Sequence, residues 1–199
     1  MPKVGMAAIR KPQLIDATMQ AIQTVGLRKA NVAIISQYAG VTPAIINHYF
    51  GGKDGLLDAT MRFIINELAN SVRLHLAKVS KHDVEGRIHA IVEGNFAPLQ
   101  LEPKVIKTWL TFCAQAMHEP ILYRLQRVNE QRLLSYLRLE LKRVMPHEKA
   151  VGVAQTLAAL IYGFWLRGAL SSTGINREQV LHIINDYLKQ QLATTENTV

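Results

Sequence analysis

Apolar positions recur every three to four residues along almost the whole chain, and no run of alternating apolar and polar residues lies between paired turn signals. That pattern predicts an all-α protein. A first helix over about residues 11–25 places Leu14, Ile15, Thr18, Ile22 and Val25 on one face and is expected to stop at Gly26. A short second helix follows Asn31, a good N-cap, with Val32, Ile35 and Ala39 on one face and Gly40 at its end. Thr42 is the expected cap of a third helix whose first position is Pro43, where a missing N–H costs nothing. A long helix over about residues 53–77 comes next, and polar punctuation at 80–83 marks a change of character. Further helices are expected at about 84–95, 103–116, 121–145, 147–171 and 176–192, with Pro98, Pro103, Pro120 and Pro146 at boundaries.

Two short helices joined by a glycine-containing turn form the outline of a helix-turn-helix over Asn31 to Phe50. In that arrangement Ile35, Ala39, Val41, Ile46 and Phe50 hold the angle between the helices. The opposite face of the third helix then presents Thr42, Pro43, Ala44, Asn47 and His48, slim enough to enter a major groove. Asn47 has the donor and acceptor for a bidentate contact to adenine. Tyr49 and Lys53 suit phosphate oxygens, with Lys53 beside a helix N-terminus that also favours an anion.

Charge sharpens this expectation. Up to Lys53 the chain carries Lys3, Arg10, Lys11, Arg28, Lys29 and Lys53 against Asp16 alone, six positive charges to one negative, or +5 of the total of +8. A polarised basic end suits a polyanion, and on charge alone nucleic acid or a membrane surface would serve. The single cysteine, Cys113, allows no disulfide framework or multi-thiolate metal site, which suits a reducing cytoplasm. The first residues lack the apolar core of a signal peptide. The stretch 151–170 approaches membrane length but contains Gly152, Gln155, Thr156, Gly163, Arg167 and Gly168, so it is read as a buried helix at a subunit interface. No His-x-x-x-His, Gly-x-Ser-x-Gly or phosphate-binding glycine loop is present, so no catalytic residues, metal site or cofactor are expected and the chain is read as not an enzyme. A helical adaptor with a nonspecific basic head is the rival of a different class.

The stretch NVAIISQYAGVTPAIINHYFGGKDGLL, Asn31 to Leu57, resembles the N-terminal signature of the TetR family of repressors in its AGV turn, Thr42, the pair Tyr49-Phe50, and Lys53 followed by Leu56. The resemblance implies an N-terminal three-helix DNA-binding domain (1–53) and a C-terminal helical ligand-binding and dimerisation domain (54–199). It places Thr42, Pro43, Ala44 and Ile45 at base-reading positions, and Asn47, Tyr49 and Lys53 at phosphate-contacting ones. MPKVGM at the start, EGNF at 93–96, KTWL at 107–110 and LYRLQRVN at 122–129 resemble the branch of the family that responds to choline and represses glycine-betaine synthesis. The expected partners are therefore double-stranded operator DNA, a small inducer such as choline or a related cation, and a second copy of the chain, with no membrane.

A quaternary ammonium is attracted to aromatic faces by roughly 0.5–2 kcal/mol per desolvated ring. Trp109, Phe112, Tyr162 and Trp165 are the candidate ligand-binding residues, with Glu93 and Glu119 as possible counter-charges; core packing is the competing role for each ring. Along the helix at 151–170, Ala154, Leu157, Ala158, Ile161 and Trp165 recur at three- and four-residue intervals and are expected to form the dimer seam.

Overall fold

The structure, a computed structural model, describes residues 6–196. Of the MPKVGM segment only Met6 lies among them. The described residues form nine α-helices and one 3-10 turn, with no strand, as the apolar periodicity predicts: α1 (Met6–Lys29), α2 (Val32–Ala39), α3 (Pro43–Phe50), α4 (Lys53–Leu76), α5 (Val84–Asn95), the 3-10 turn (Pro98–Leu101), α6 (Pro103–Ala116), α7 (Pro120–Leu141), α8 (His147–Leu170) and α9 (Arg177–Glu196).

Two boundaries differ from expectation. Helix α1 begins at Met6 and contains Pro12, which forgoes a single backbone bond within an otherwise continuous helix. It also runs past Gly26, whose φ of 76° and ψ of 160° break the helical geometry, so a final turn follows the kink. Helix α7 stops at Leu141, and the amides of Val144 and Met145 both turn back to the Leu141 carbonyl.

Packing divides the chain into two compact units. One contains residues up to Asn66 together with Glu102–Leu125; the other contains Glu67–Leu101 and the chain from Gln126 onward. The boundary at 53/54 drawn from the sequence isolates the three-helix module, whereas packing joins to it the first half of α4, all of α6 and the start of α7.

In the first unit α1 packs on α2, α3 and α6. Leu14, Ala21, Ile35, Ile46, Leu56 and Phe112 are wholly buried there, each large side chain contributing about 1.5–3 kcal/mol of transfer free energy. Polar ties fix the helices on this core. The Gln13 side-chain amide donates to the Ala39 carbonyl at 2.6 Å, joining α1 to the end of α2. Lys104 of α6 reaches Asp16 of α1 at 2.7 Å, and that hydrogen bond raises the lysine's pKa.

In the second unit α9 packs against α5 and α8. The end of α5 leaves carbonyls that its own helix cannot satisfy. The Trp165 indole N–H donates to the Asn95 carbonyl at 3.2 Å and Arg177 Nε to the Phe96 carbonyl at 3.0 Å. The buried Glu140 carboxylate receives Arg87 at 2.6 Å and Arg143 at 2.7 Å, a pairing that a buried charge requires.

One expectation is overturned in this unit. Ala154, Leu157, Ala158, Ile161 and Trp165 are all buried within the single chain. They form the inner face of α8 and have no surface to offer a second copy. Periodic spacing marks an apolar face but does not say what covers it, and here α8's own unit does.

Gly94 of α5 lies so close to α4 that an added Cβ would stand 2.6 Å from the Val72 Cα, a backbone atom that cannot swing aside. Gly94→Ala is expected to cost about 1–3 kcal/mol, read as a lowered urea midpoint; an unchanged midpoint would show that the α4–α5 approach is loose. Burial pushes the Cys113 thiol from its ordinary 9.0 up to about 12. Because the folded value is raised, the stability tied to the neutral thiol is intact below about pH 9 and is lost as pH climbs toward 12. Iodoacetamide at pH 8 is therefore expected to label the folded protein at least about tenfold more slowly than the urea-unfolded chain.

Candidate nucleic-acid interface

The reading head is built by local backbone chemistry. Asn31 opens α2 by accepting the Ile34 amide on its side-chain oxygen at 2.9 Å, the cap expected from the sequence. Gly40 closes the helix in the left-handed region at φ 61° and ψ 37°. Its amide bonds the Gln37 carbonyl at 3.1 Å and the Val41 amide bonds Ser36 at 3.0 Å, reversing the chain within one turn. Thr42 is then extended and Pro43 takes the first helical position, as expected, but the Thr42 side chain makes no capping hydrogen bond. Its exposed hydroxyl is left available for an outside partner.

Ile46, wholly buried, is the one buried residue of α3. Ile35 and Ala39 of α2 are also buried, and Val41 and Phe50 are half-buried, so these five residues form the hinge-facing side. Thr42, Pro43, Ala44, Asn47 and His48 are exposed; Ile45 and Tyr49 are half-buried. The His48 and Tyr49 rings meet edge to face with centroids 4.8 Å apart. An eight-residue helix is about 12 Å long, and a major groove is about 12 Å wide.

Lys53 is the first residue of α4, and its ammonium donates to the Leu27 carbonyl at 3.3 Å. The start of α4 is pressed against the end of α3. A Cβ on Gly55 would fall 1.9 Å from the Phe50 carbonyl oxygen, so a glycine is needed there to hold Lys53 beside the reading helix. The structure thus gathers every residue of the expected DNA-facing set on α3, its cap and the first turn of α4.

The four aromatic candidates are not gathered. Trp109 and Phe112 belong to the first unit, Tyr162 and Trp165 to the second. Trp165 is buried with its indole N–H committed to Asn95, and the Tyr162 hydroxyl receives the Gln126 amide at 3.5 Å. Trp109 is buried in α6. Phe112 alone of the four lines a cavity of about 710 Å³, in the first unit, which also takes in Lys53 and the candidate counter-charge Glu119. Glu93 lies in α5, in the other unit. The cavity's remaining walls include Leu27, Leu57 and Asp58, residues that no sequence signal picks out. Among the described residues no group of three or more His, Cys, Asp or Glu side chains is placed to hold a metal ion.

Comparison with known proteins bears on what this head belongs to. Residues 14–60 match the family described as bacterial regulatory proteins, tetR family, and residues 84–193 match the BetI-type transcriptional repressor C-terminal family. The chain is 56% identical over 192 residues to the HTH-type transcriptional regulator BetI of Vibrio vulnificus, covering 96% of this chain and 97% of that protein. It is 51% identical to the protein of the same name from Yersinia pestis, with coverage of 96% and 97%. Among solved structures, a transcriptional regulator of Pseudomonas aeruginosa PAO1 superposes with a TM-score of 0.79 at 24% identity, covering 94% of this chain and 91% of that one. A Saccharomonospora viridis protein, described as a transcriptional regulator in complex with choline, gives a TM-score of 0.76 at 19% identity, covering 92% and 96%. At such identities the two structures speak for the fold alone. With both family matches in place and the curated relatives aligned almost end to end, the chain belongs to the TetR family with a BetI-type C-terminal domain, and is a DNA-binding transcriptional repressor rather than an enzyme.

Proposed function

We propose that the repressor works in the cytoplasm as a homodimer that holds a two-fold operator through the exposed face of α3 and is released by choline or a closely related cation. The observation that carries the DNA half is the exposed edge from Thr42 to His48, standing opposite the buried Ile46. Thr42, Pro43, Ala44 and Ile45 would meet base edges at the helix N-terminus, and Asn47 a base or the backbone beside them. Tyr49 and Lys53 would fasten phosphates on either side, with His48 at the rim. Support for choline comes from the relatives named BetI and from the choline-bound neighbour. Ligand binding then shifts the dimer toward a state whose heads no longer match half-sites about 34–36 Å apart. A coupling of about 1–3 kcal/mol gives a 5- to 150-fold loss of operator affinity.

With its inner face committed to the core, α8 offers a different face to a second copy. Gly152, Thr156, Ala159, Leu166 and Leu170 are exposed and Gly163 half-buried, at alternating intervals of four and three residues. A Cβ on Gly152 or Gly163 would meet nothing within 4 Å. Leu170 is 74% and Leu166 44% exposed, apolar surface that a partner helix would cover. Small residues at this spacing allow two helices to approach closely.

Two measurements test the reading. In operator titrations, Tyr49→Ala and Lys53→Ala are expected to weaken binding about tenfold on every sequence and to lower the salt slope by about one. Asn47→Ala is expected to relax preference at one base pair by about 1–3 kcal/mol; equal loss on all sequences would move Asn47 to the backbone. Choline should loosen the complex in the same titration, and tightening would reverse the proposed direction. Gly163→Arg is expected to give monomers by analytical ultracentrifugation while helicity is retained; an intact dimer would move the seam elsewhere.

A further inference from the structure

We propose that the cavity of the first unit is a binding site for a small alkylammonium cation that carries a hydrogen-bond donor. The regulatory consequence rests on the ligand-release reading above; the binding itself stands on the cavity.

Its volume of about 710 Å³ falls in the range of about 300–1,000 Å³ usual for small-molecule sites. Four segments meet around it: the end of α1 beyond the Gly26 kink, the first turns of α4, the C-terminal half of α6 with the α6–α7 turn, and the first turn of α7. The wholly buried Phe112 ring and the half-buried Leu27, Leu57 and Leu122 supply apolar lining. Exposed Asp54 and Glu119 stand toward the solvent side, with Asp58 half-buried between. An aromatic ring with aliphatic walls and carboxylates at the opening suits a cation clothed in alkyl groups, because the ring face and the carboxylates attract the charge while the walls accept the carbon.

The charges on the lining favour a cation over an anion. Three carboxylates face two basic groups, Arg28 and Lys53. Lys53 is already held on the Leu27 carbonyl at 3.3 Å and on DNA would turn its charge to a phosphate. Asp58 is half engaged: one oxygen takes Arg62 at 2.7 Å, and the other, Oδ1, is buried with no hydrogen-bond partner. A carboxylate oxygen can only accept, so the group missing from this cavity is a donor. A hydroxyl or N–H on the ligand would supply it, and a fully alkylated cation without one would not.

The place of the cavity also joins the ligand to the reading head without any distant relay. Leu27 and Lys53, which line it, are the two residues linked by the bond that fixes the first turn of α4. A cation seated there competes with Lys53 for the same carboxylates and wedges the end of α1 away from α4. By linkage, operator DNA must then weaken cation binding by the factor with which the cation weakens operator binding.

The test is calorimetric titration of the full-length protein with choline chloride and with tetramethylammonium chloride, against sodium chloride at matched ionic strength. Saturable binding is expected for both cations, tighter for choline. Glu119→Gln and Asp58→Asn should each weaken choline about 3- to 10-fold, and Leu57→Trp, which fills the cavity, should abolish binding. Glu119 is exposed, so its variant is a safe reporter where Leu57→Trp perturbs folding. Absence of saturable binding to the wild type overturns the proposal, as does an unchanged affinity in Glu119→Gln and Asp58→Asn. If choline still releases operator while those affinities stay unchanged, the ligand-release reading stands and this cavity is not the site. If binding depends on Glu119 but operator affinity ignores choline, the site stands and the ligand-release reading falls.

Discussion

The reading head depends on the seating of one side chain. Helix α3 has eight residues, too few to persist in water unaided, and only Ile46 anchors it fully in the core. Everything that orients the helix is therefore imposed from outside: Ile35 and Ala39 beneath it, the left-handed turn at Gly40 before it, and the close approach of Gly55 to Phe50 after it. A helix held on so narrow a footing keeps most of its circumference free. The narrow anchor explains both the exposure of Thr42 to His48 and the dense local constraint at either end. Thr42 illustrates the economy of this arrangement, since the turn geometry is set by Gly40 and Pro43 and the hydroxyl is not needed to cap the helix it begins.

Lys53 carries this constraint into α4. It follows the Gly51-Gly52 reversal and is tied to Leu27 at the end of α1, so the first and last helices of the head meet at a single ammonium group. Charge is distributed accordingly. The first 53 residues carry an excess of +5, while Asp54 and Asp58 follow at once on α4 and Glu119 joins them from the α6–α7 turn. A phosphate and an organic cation would thus draw on opposite sides of the same short stretch of chain, which makes antagonism between them a matter of local electrostatics rather than long-range transmission.

What could be read from the sequence was what local chemistry decides. The caps and turn of α2 and α3 were legible because Asn31, Gly40, Thr42 and Pro43 act on their own neighbours, and prolines marked the starts of α6 and α7 for the same reason. The continuation of α1 past Gly26 was not, because it depends on packing that holds one more turn beyond a glycine of non-helical geometry. The faces of α8 were assigned the wrong way round. Ala154, Leu157 and Ile161 repeat as a core face and as a dimer face would, and only the fold shows that the stripe through Gly152, Ala159 and Gly163 is the one left outside. The cavity was least legible of all, since its walls come from four segments and only Phe112 and Glu119 had chemistry that stood out alone.

The segments that carry the likeness to choline-responsive regulators do structural work in the second unit. Gly94 lets α5 approach α4, the carbonyls of Asn95 and Phe96 are satisfied by Trp165 and Arg177, and Trp165 is buried to 3% exposure. A cation–π contact needs a ring face that a ligand can reach. An indole packed in the core with its N–H engaged cannot provide one unless the unit opens, and opening would break the closure of α5. Shared residues in this part of the chain are thus explained by the need to close a helix end. Aromatic residues within a recognisable scaffold are therefore weak witnesses to what the scaffold binds, and ligand selectivity has to be sought where a ring, a free carboxylate oxygen and open volume coincide. In the first unit those three coincide at Phe112 and Asp58.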